Sequence, residues 1–185
     1  MARRRLRWKR IALVGVLLAG LALAATLLLV PVLLRVYYRV DHLELILPAA
    51  RRHQVSPYLV GAVIFTESRF REEARSDVGA VGLMQLMPET AKEMAESLEL
   101  KDYDPANLDR PELNIELGTA YLAVLQDRFQ DESMMLAAYN AGPTLAAQWS
   151  QEGSGIPYPE TREFVASVRR HRDRLSRLYP KWDRP

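Results

Sequence analysis

A chain of 185 residues with no cysteine holds neither a disulfide framework nor a thiolate metal site. The formal charge is +2, of which residues 1–10 contribute +6, so residues 11–185 sum to −4. That balance excludes a basic nucleic-acid binder, and residues 41–185 suffice for one domain with a real core, not two.

Arg3, Arg4, Arg5, Arg7, Lys9 and Arg10 open the chain without an acid, and residues 11–34 follow without any charge. As a helix that run spans about 36 Å, enough to cross a hydrocarbon core of about 30 Å. Helices of soluble domains are rarely apolar all round over this length. Six positive charges before the span are expected to stay cytoplasmic and leave the rest outside; Arg35 and Arg39 weaken that asymmetry without reversing it. A cleaved signal peptide competes, since Ala22-Leu23-Ala24 looks like a processing site. The apolar run continues to Leu34, beyond the usual h-region of about 7–15 residues, which favours an uncleaved anchor. The expected organisation is a cytoplasmic basic segment (1–10), a transmembrane helix (11–34), a juxtamembrane connector (35–44) and a folded domain (45–185).

The folded part shows helical periodicity and no sustained alternation, which predicts an all-α class. A helix is expected from Asp41 to about Gln54, interrupted near Pro48. Ser56-Pro57 reads as a helix start with an N-cap hydroxyl, and Tyr58, Val60, Ala62, Val63, Ile64 and Phe65 make the next helix apolar on most sides. That helix delivers Glu67 near its C-terminal end. Residues 71–87 read as irregular, with Ser76, Asp77, Gly79 and Gly82. Pro88 opens a helix to about Leu98, and Tyr103 to Pro111 is a loop. Pro111 to Phe129 reads as an amphipathic helix with Leu113, Leu117, Tyr121, Leu122, Val124 and Leu125 inward. A short helix over Ser133 to Asn140 stops at Ala141-Gly142-Pro143. Residues 151–158 form a Gly/Pro loop, and 159–178 a basic terminal helix.

Glu67, taken alone, is either a solvated helix end or a carboxyl held against apolar walls, where its ionised form is desolvated and its pKa raised. Such an acid stays protonated near neutral pH and donates to a glycosidic oxygen. In Gly82-Leu83-Met84-Gln85, Gln85 either offers a donor and an acceptor to a sugar or stabilises the turn. In Ala138-Tyr139-Asn140-Ala141-Gly142 a phenol and an amide stand at a helix end. The Tyr139 ring packs, and its hydroxyl is expected toward Glu67 or a ligand. His42, His53 and His171 lack a metal-site spacing and read as solvated. Arg162, Arg169, Arg170, Arg172, Arg174 and Arg177 read as the solvated face of the last helix.

In this order the motifs resemble the soluble-lytic-transglycosylase (SLT) family, lysozyme-like enzymes that cleave the glycan strands of bacterial peptidoglycan. The resemblance covers roughly residues 45–170 and implies a lysozyme-like, all-α domain. By it, Glu67 is the catalytic acid, Ser68 the serine that follows, and Ser76, Gln85 and Met87 line the glycan cleft. Tyr139 and Asn140 match the Ala-Tyr-Asn signature, and all of these are expected at the substrate. Tyr158-Pro159-Glu160-Thr161-Arg162-Glu163-Phe164-Val165 resembles the closing motif, with Phe164 where members often carry tyrosine; a hydroxyl there that assists catalysis would be missing. Asn114-Ile115 with Gly118 resembles an Asn-Ile-x-x-Gly segment and reads as structural.

Glycosidases with two carboxylates need a second acid; Glu160, at a helix start, is expected to help organise the cleft, not to serve as nucleophile. The resemblance implies that one glutamate suffices and that the substrate's C6 hydroxyl attacks. The expected product end is 1,6-anhydro-N-acetylmuramic acid, with no metal or organic cofactor. Two rivals remain: a muramidase on the same fold with water as acceptor, and an idle wall-binding module of a secretion or division apparatus. The reducing-end chemistry of released glycan separates them.

Overall fold

The computed structural model describes the backbone of residues 2–182 and the side chains of residues 13–182. The basic side chains expected to set orientation, Arg3, Arg4, Arg5, Arg7, Lys9 and Arg10, lie outside the described residues. The chain divides into two compact units after Arg39.

Helix α1 (Ala2–Tyr37) makes up most of the first unit. Its stretch Leu13–Tyr37 is long and apolar enough to cross a membrane, about 37 Å at 1.5 Å per residue. The helix runs past the expected boundary at residue 34, because Arg35-Val36-Tyr37 holds neither glycine nor proline to stop it.

The second unit consists of α2 (Leu43–Arg52), α3 (Pro57–Glu67), α4 (Pro88–Ser97), α5 (Pro111–Arg128), α6 (Glu132–Ala141), α7 (Pro143–Glu152) and α8 (Pro159–Leu178), with a 3-10 turn at Pro105–Asn107. No strand occurs among the described residues; isolated bridges join Arg75 to Val81 and Val81 to Leu86. The observed class is the all-α class read from periodicity.

Tyr58 to Phe65 of α3 are all buried, as a helix without a polar face must be. Helix α8 lies along it, close enough at Gly61 that a Cβ there would touch Leu175 and Trp182. Trp182 stacks on Tyr58 at 5.2 Å and on Tyr179 at 5.0 Å, and the Tyr58 hydroxyl donates to the Tyr179 carbonyl at 2.8 Å. Helix α5 packs against α2, α4 and α6, and α6 against α7 and α8. Full burial of Val60 and Ile64 stabilises the fold by about 1.5–3 kcal/mol each.

Several local expectations are corrected. Pro48 does not interrupt α2 but lies inside it, at the sixth of its ten residues, so the helix continues past the one N–H bond that proline cannot make. Ser56 precedes α3 without capping it through its side chain, so the start signal is carried by Pro57. Helix α7 goes beyond the sequence reading: Ala141-Gly142-Pro143 does stop α6, but Pro143 also opens a new helix. Val124 is 46% exposed and faces outward.

Candidate active site

Helix α3 ends because Arg69 and Phe70 take left-handed φ values of 53° and 62°. Glu67 therefore stands in the last turn of a buried helix and is itself only partly exposed. No hydrogen bond or ion pair from the described residues reaches its carboxyl. With nothing to stabilise the anion, burial pushes its pKa from the ordinary 4.5 to about 8.

Facing this helix end is the segment 74–86, which makes its own framework of backbone bonds. Val81 and Leu86 exchange N–H···O bonds of 2.9 and 3.0 Å, and Gly82 N–H donates to the Ala74 carbonyl at 2.8 Å. The turn between them needs positive φ at Gly82 (82°) and Gln85 (47°). Its buried peptides at 83 and 84 find partners on three helices, as buried backbone polar groups must. Ser68 Oγ donates to the Leu83 carbonyl at 2.8 Å, and Tyr139 Oη to the Met84 carbonyl at 2.7 Å. Met84 N–H donates to Asn114 Oδ1 at 2.7 Å.

Asn114 uses its whole amide: Nδ2 also donates to the carbonyls of Val81 (2.9 Å) and Leu108 (2.8 Å). Gly82 and Gly118 make room for this arrangement, since a Cβ on Gly82 would run into the Asn114 amide and one on Gly118 into the Met84 sulfur.

The positions expected at the substrate fall into distinct groups. Ser68 is 1% exposed with its hydroxyl committed to Leu83, so it ties the acid-bearing helix to the turn and is not open to a ligand. Tyr139 directs its hydroxyl to Met84 and not to Glu67. Burial, with the Glu67 charge behind it, holds that phenol well above its usual pKa, so it is neutral. Gln85 spends its Nε2 donor on the carbonyls of Ala74 (3.0 Å) and Gly82 (2.9 Å), which leaves Oε1 to accept. Ser76 Oγ accepts from Ala80 N–H at 2.9 Å inside the loop. Met87 is 38% exposed; Asn140 and Glu160 are exposed as well, and neither of these two has a hydrogen bond or ion pair to a described residue. Phe164 is buried and stacks parallel to the Tyr139 ring at 6.3 Å.

Sequence reasoning left Asn114 as part of a structural segment and missed its grip on the turn. The available signal was a polar side chain on the inward stripe of α5, among Ile115, Leu117 and Gly118. The histidines are not solvated as expected: His42 pairs with Glu72 at 3.0 Å, His53 faces Glu116 at 2.9 Å, and His171 packs on Phe65. The α8 arginines are not a uniformly free face either: Arg169 and Arg172 pair with Glu132, and Arg162 donates to the carbonyls of Ile156 and Pro157.

Residues 44–156, more than half of the chain, match the family model described as Transglycosylase SLT domain. The soluble lytic murein transglycosylase of Salmonella typhimurium is 35% identical over 149 residues, which cover 69% of this chain and 23% of that protein. The membrane-bound lytic murein transglycosylase C of Actinobacillus pleuropneumoniae is 34% identical over 112 residues, 55% of this chain and 31% of that protein. The structure of an inactive mutant of the Pseudomonas aeruginosa lytic transglycosylase Slt superposes with a TM-score of 0.71 at 32% identity, covering 78% of this chain and 25% of that one. The chain thus spans about a quarter to a third of the length of these relatives.

Proposed function

The chain belongs to the transglycosylase SLT domain family, and from that footing we propose that it is a peptidoglycan lytic transglycosylase. It cleaves the β-1,4 bond between N-acetylmuramic acid and N-acetylglucosamine and leaves 1,6-anhydro-N-acetylmuramic acid ends. The observation that carries the proposal is the Glu67 carboxyl, unpartnered by any described residue and with a pKa of about 8. At neutral pH it holds a proton, as a general acid must.

Glu67 gives that proton to the glycosidic oxygen as the bond to muramic acid C1 breaks. The resulting carboxylate takes the proton of the C6 hydroxyl as that oxygen bonds to C1, so Glu67 ends as it began and no water is consumed. Burial is the cause of the Glu67 shift; that one glutamate suffices, without the second carboxylate of other glycosidases, is what the family resemblance implies. An attack tethered within the sugar ring profits from effective molarities of about 10⁵–10⁸ M, well above that of water. Gln85 Oε1, the exposed Met87 and Asn140, and the Tyr139 ring are the groups assigned to hold the sugar, with Glu160 in support.

For location we propose a cytoplasmic-membrane anchor at residues 11–34 and a catalytic domain outside, on peptidoglycan. The apolar stretch of α1 supports it, as does similarity to a protein named membrane-bound. Mass spectrometry of peptidoglycan digested by the full chain tests the chemistry. Muropeptides lighter by one water than hydrolytic products, without a reducible end, are expected. Reducing muramic acid ends would make the protein a muramidase, and no release at all would leave a wall-binding module.

A further inference from the structure

Tyr158 is 49% exposed, whereas every other phenylalanine, tyrosine and tryptophan among the described residues of the second unit is buried or half-buried. A slack loop is not the reason. Tyr158 lies between Pro157 and Pro159, and a residue before proline is confined to extended backbone; it is found there, at φ −80° and ψ 121°. Arg162 of α8 donates its Nη1 to the carbonyls of Ile156 (2.8 Å) and Pro157 (2.7 Å). Its backbone N–H donates to the Tyr158 carbonyl at 3.0 Å. The ring itself rests on buried Trp149, with centroids 5.1 Å apart and planes at 75°. A perpendicular pair sets the edge of one ring on the face of the other, so Trp149 covers at most one face of Tyr158. The ring is fixed in place and left open, and its hydroxyl bonds to no described residue.

Contacts lead from the acid's turn to this ring. Tyr139 holds the Met84 carbonyl beside Gln85, and the Tyr139 ring stacks on Phe164 of α8 at 6.3 Å. Four residues before Phe164, on the same face of the helix, stands the exposed carboxylate of Glu160. Tyr158 immediately precedes that first turn, about 9 Å from Phe164 at 1.5 Å per residue. The line Tyr139, Glu160, Tyr158 therefore runs outward from the groups assigned to the sugar.

We propose, resting on the peptidoglycan reading above, that Tyr158 is a sugar-stacking platform that extends the glycan cleft beyond the scissile bond. The axial C–H bonds of a pyranose form an apolar face that fits a flat ring, and the sugar's hydroxyl and amide groups suit a neighbouring carboxylate. A rigid aromatic offers contact area at little cost in ordering. A protein partner would ask for a broader apolar patch, yet no other large apolar side chain is exposed on α7, α8 or the loop between them among the described residues. Tyr158 sets which lengths of glycan are held and takes no part in proton transfer.

The test is the affinity of the full chain in detergent for peptide-free peptidoglycan glycan strands of graded length. Isothermal titration calorimetry in a Glu67→Gln background measures it without turnover. Tyr158→Ala should weaken the binding of long strands by about three- to tenfold. The shortest strands, which end before the ring, should bind as they do to the Glu67→Gln parent. Tyr158→Phe keeps the ring and should match that parent at every length. A residue that merely packed on Trp149 would weaken all lengths alike.

No loss at any length, a loss independent of length, or an equal loss in Tyr158→Phe overturns the proposal. Should Tyr158→Ala not fold, Tyr158→Leu, which keeps apolar bulk without a flat face, is read in the same way. Failure of both to fold assigns the ring to packing on Trp149 and overturns it too. A Glu67→Gln parent that binds strands of no length refutes the peptidoglycan reading itself, and the proposal with it. Reducing ends in the products of the unsubstituted chain would change the reaction and leave this test standing.

Discussion

Glu67 concentrates the cost of this site in one carboxyl. In the unfolded chain it ionises near 4.5; in the folded protein it holds its proton to about 8. Between those values the native state binds a proton that the unfolded state releases, so stability falls as pH rises through that window. Glu67→Gln removes the titration. The variant should abolish cleavage, an effect of about 100-fold or more, and at pH 8 should be more stable than the parent by on the order of 1–3 kcal/mol. At pH 4 the difference should vanish. Urea denaturation of residues 40–185 at the two pH values measures it; equal stabilities at pH 8 would mean that the carboxyl is not desolvated. Activity of the parent should fall as pH rises through about 8, since the acid form is the one that starts the reaction.

At the scale of elements, the loop between α3 and α4 owes its shape to glycines that other residues cannot replace. Gly82 combines a φ of 82° with an Asn114 amide where its Cβ would be. Gly82→Ala should therefore cost roughly 2–4 kcal/mol and most of the cleavage activity, read as a lower urea midpoint and a lower rate. A neutral outcome would mean that the loop is free to rearrange. Much of this framework was legible in the chain. Period-3.6 patterning and helix-initial prolines located α3, α4, α5 and α8, and the Glu-Ser, Gly-Leu-Met-Gln and Ala-Tyr-Asn segments marked the stretches that meet at the turn. The destination of each polar atom was not legible. The family resemblance implies that Ser68 and Tyr139 belong near Glu67, but both hydroxyls go to orphaned carbonyls of the turn, a demand that arises only after the loop has folded. Helix α7 escaped for a simpler reason, because Pro143 carries both a stop and a start.

For the whole molecule, the proposed topology gives a direct expectation. Protease added to intact spheroplasts should remove the second unit and leave α1 with the membrane. Full protection, or a mature chain beginning near Thr26, would reject the anchor. The second unit should in turn behave as one cooperative body, because its least regular segment is fastened to helices on several sides.

The side-chain bolts on residues 83 and 84 carry one more consequence, in the exchange of backbone hydrogens with solvent. A loop without strand or helix ordinarily trades its amide protons early, through small local openings. Here the amides of Val81, Gly82, Met84 and Leu86 are all donated inward, and Met84 can open only if α5 lets go. Those protons should exchange about as slowly as the amides of α3, at rates set by unfolding of the whole unit, so that the turn beside the acid keeps time with the core.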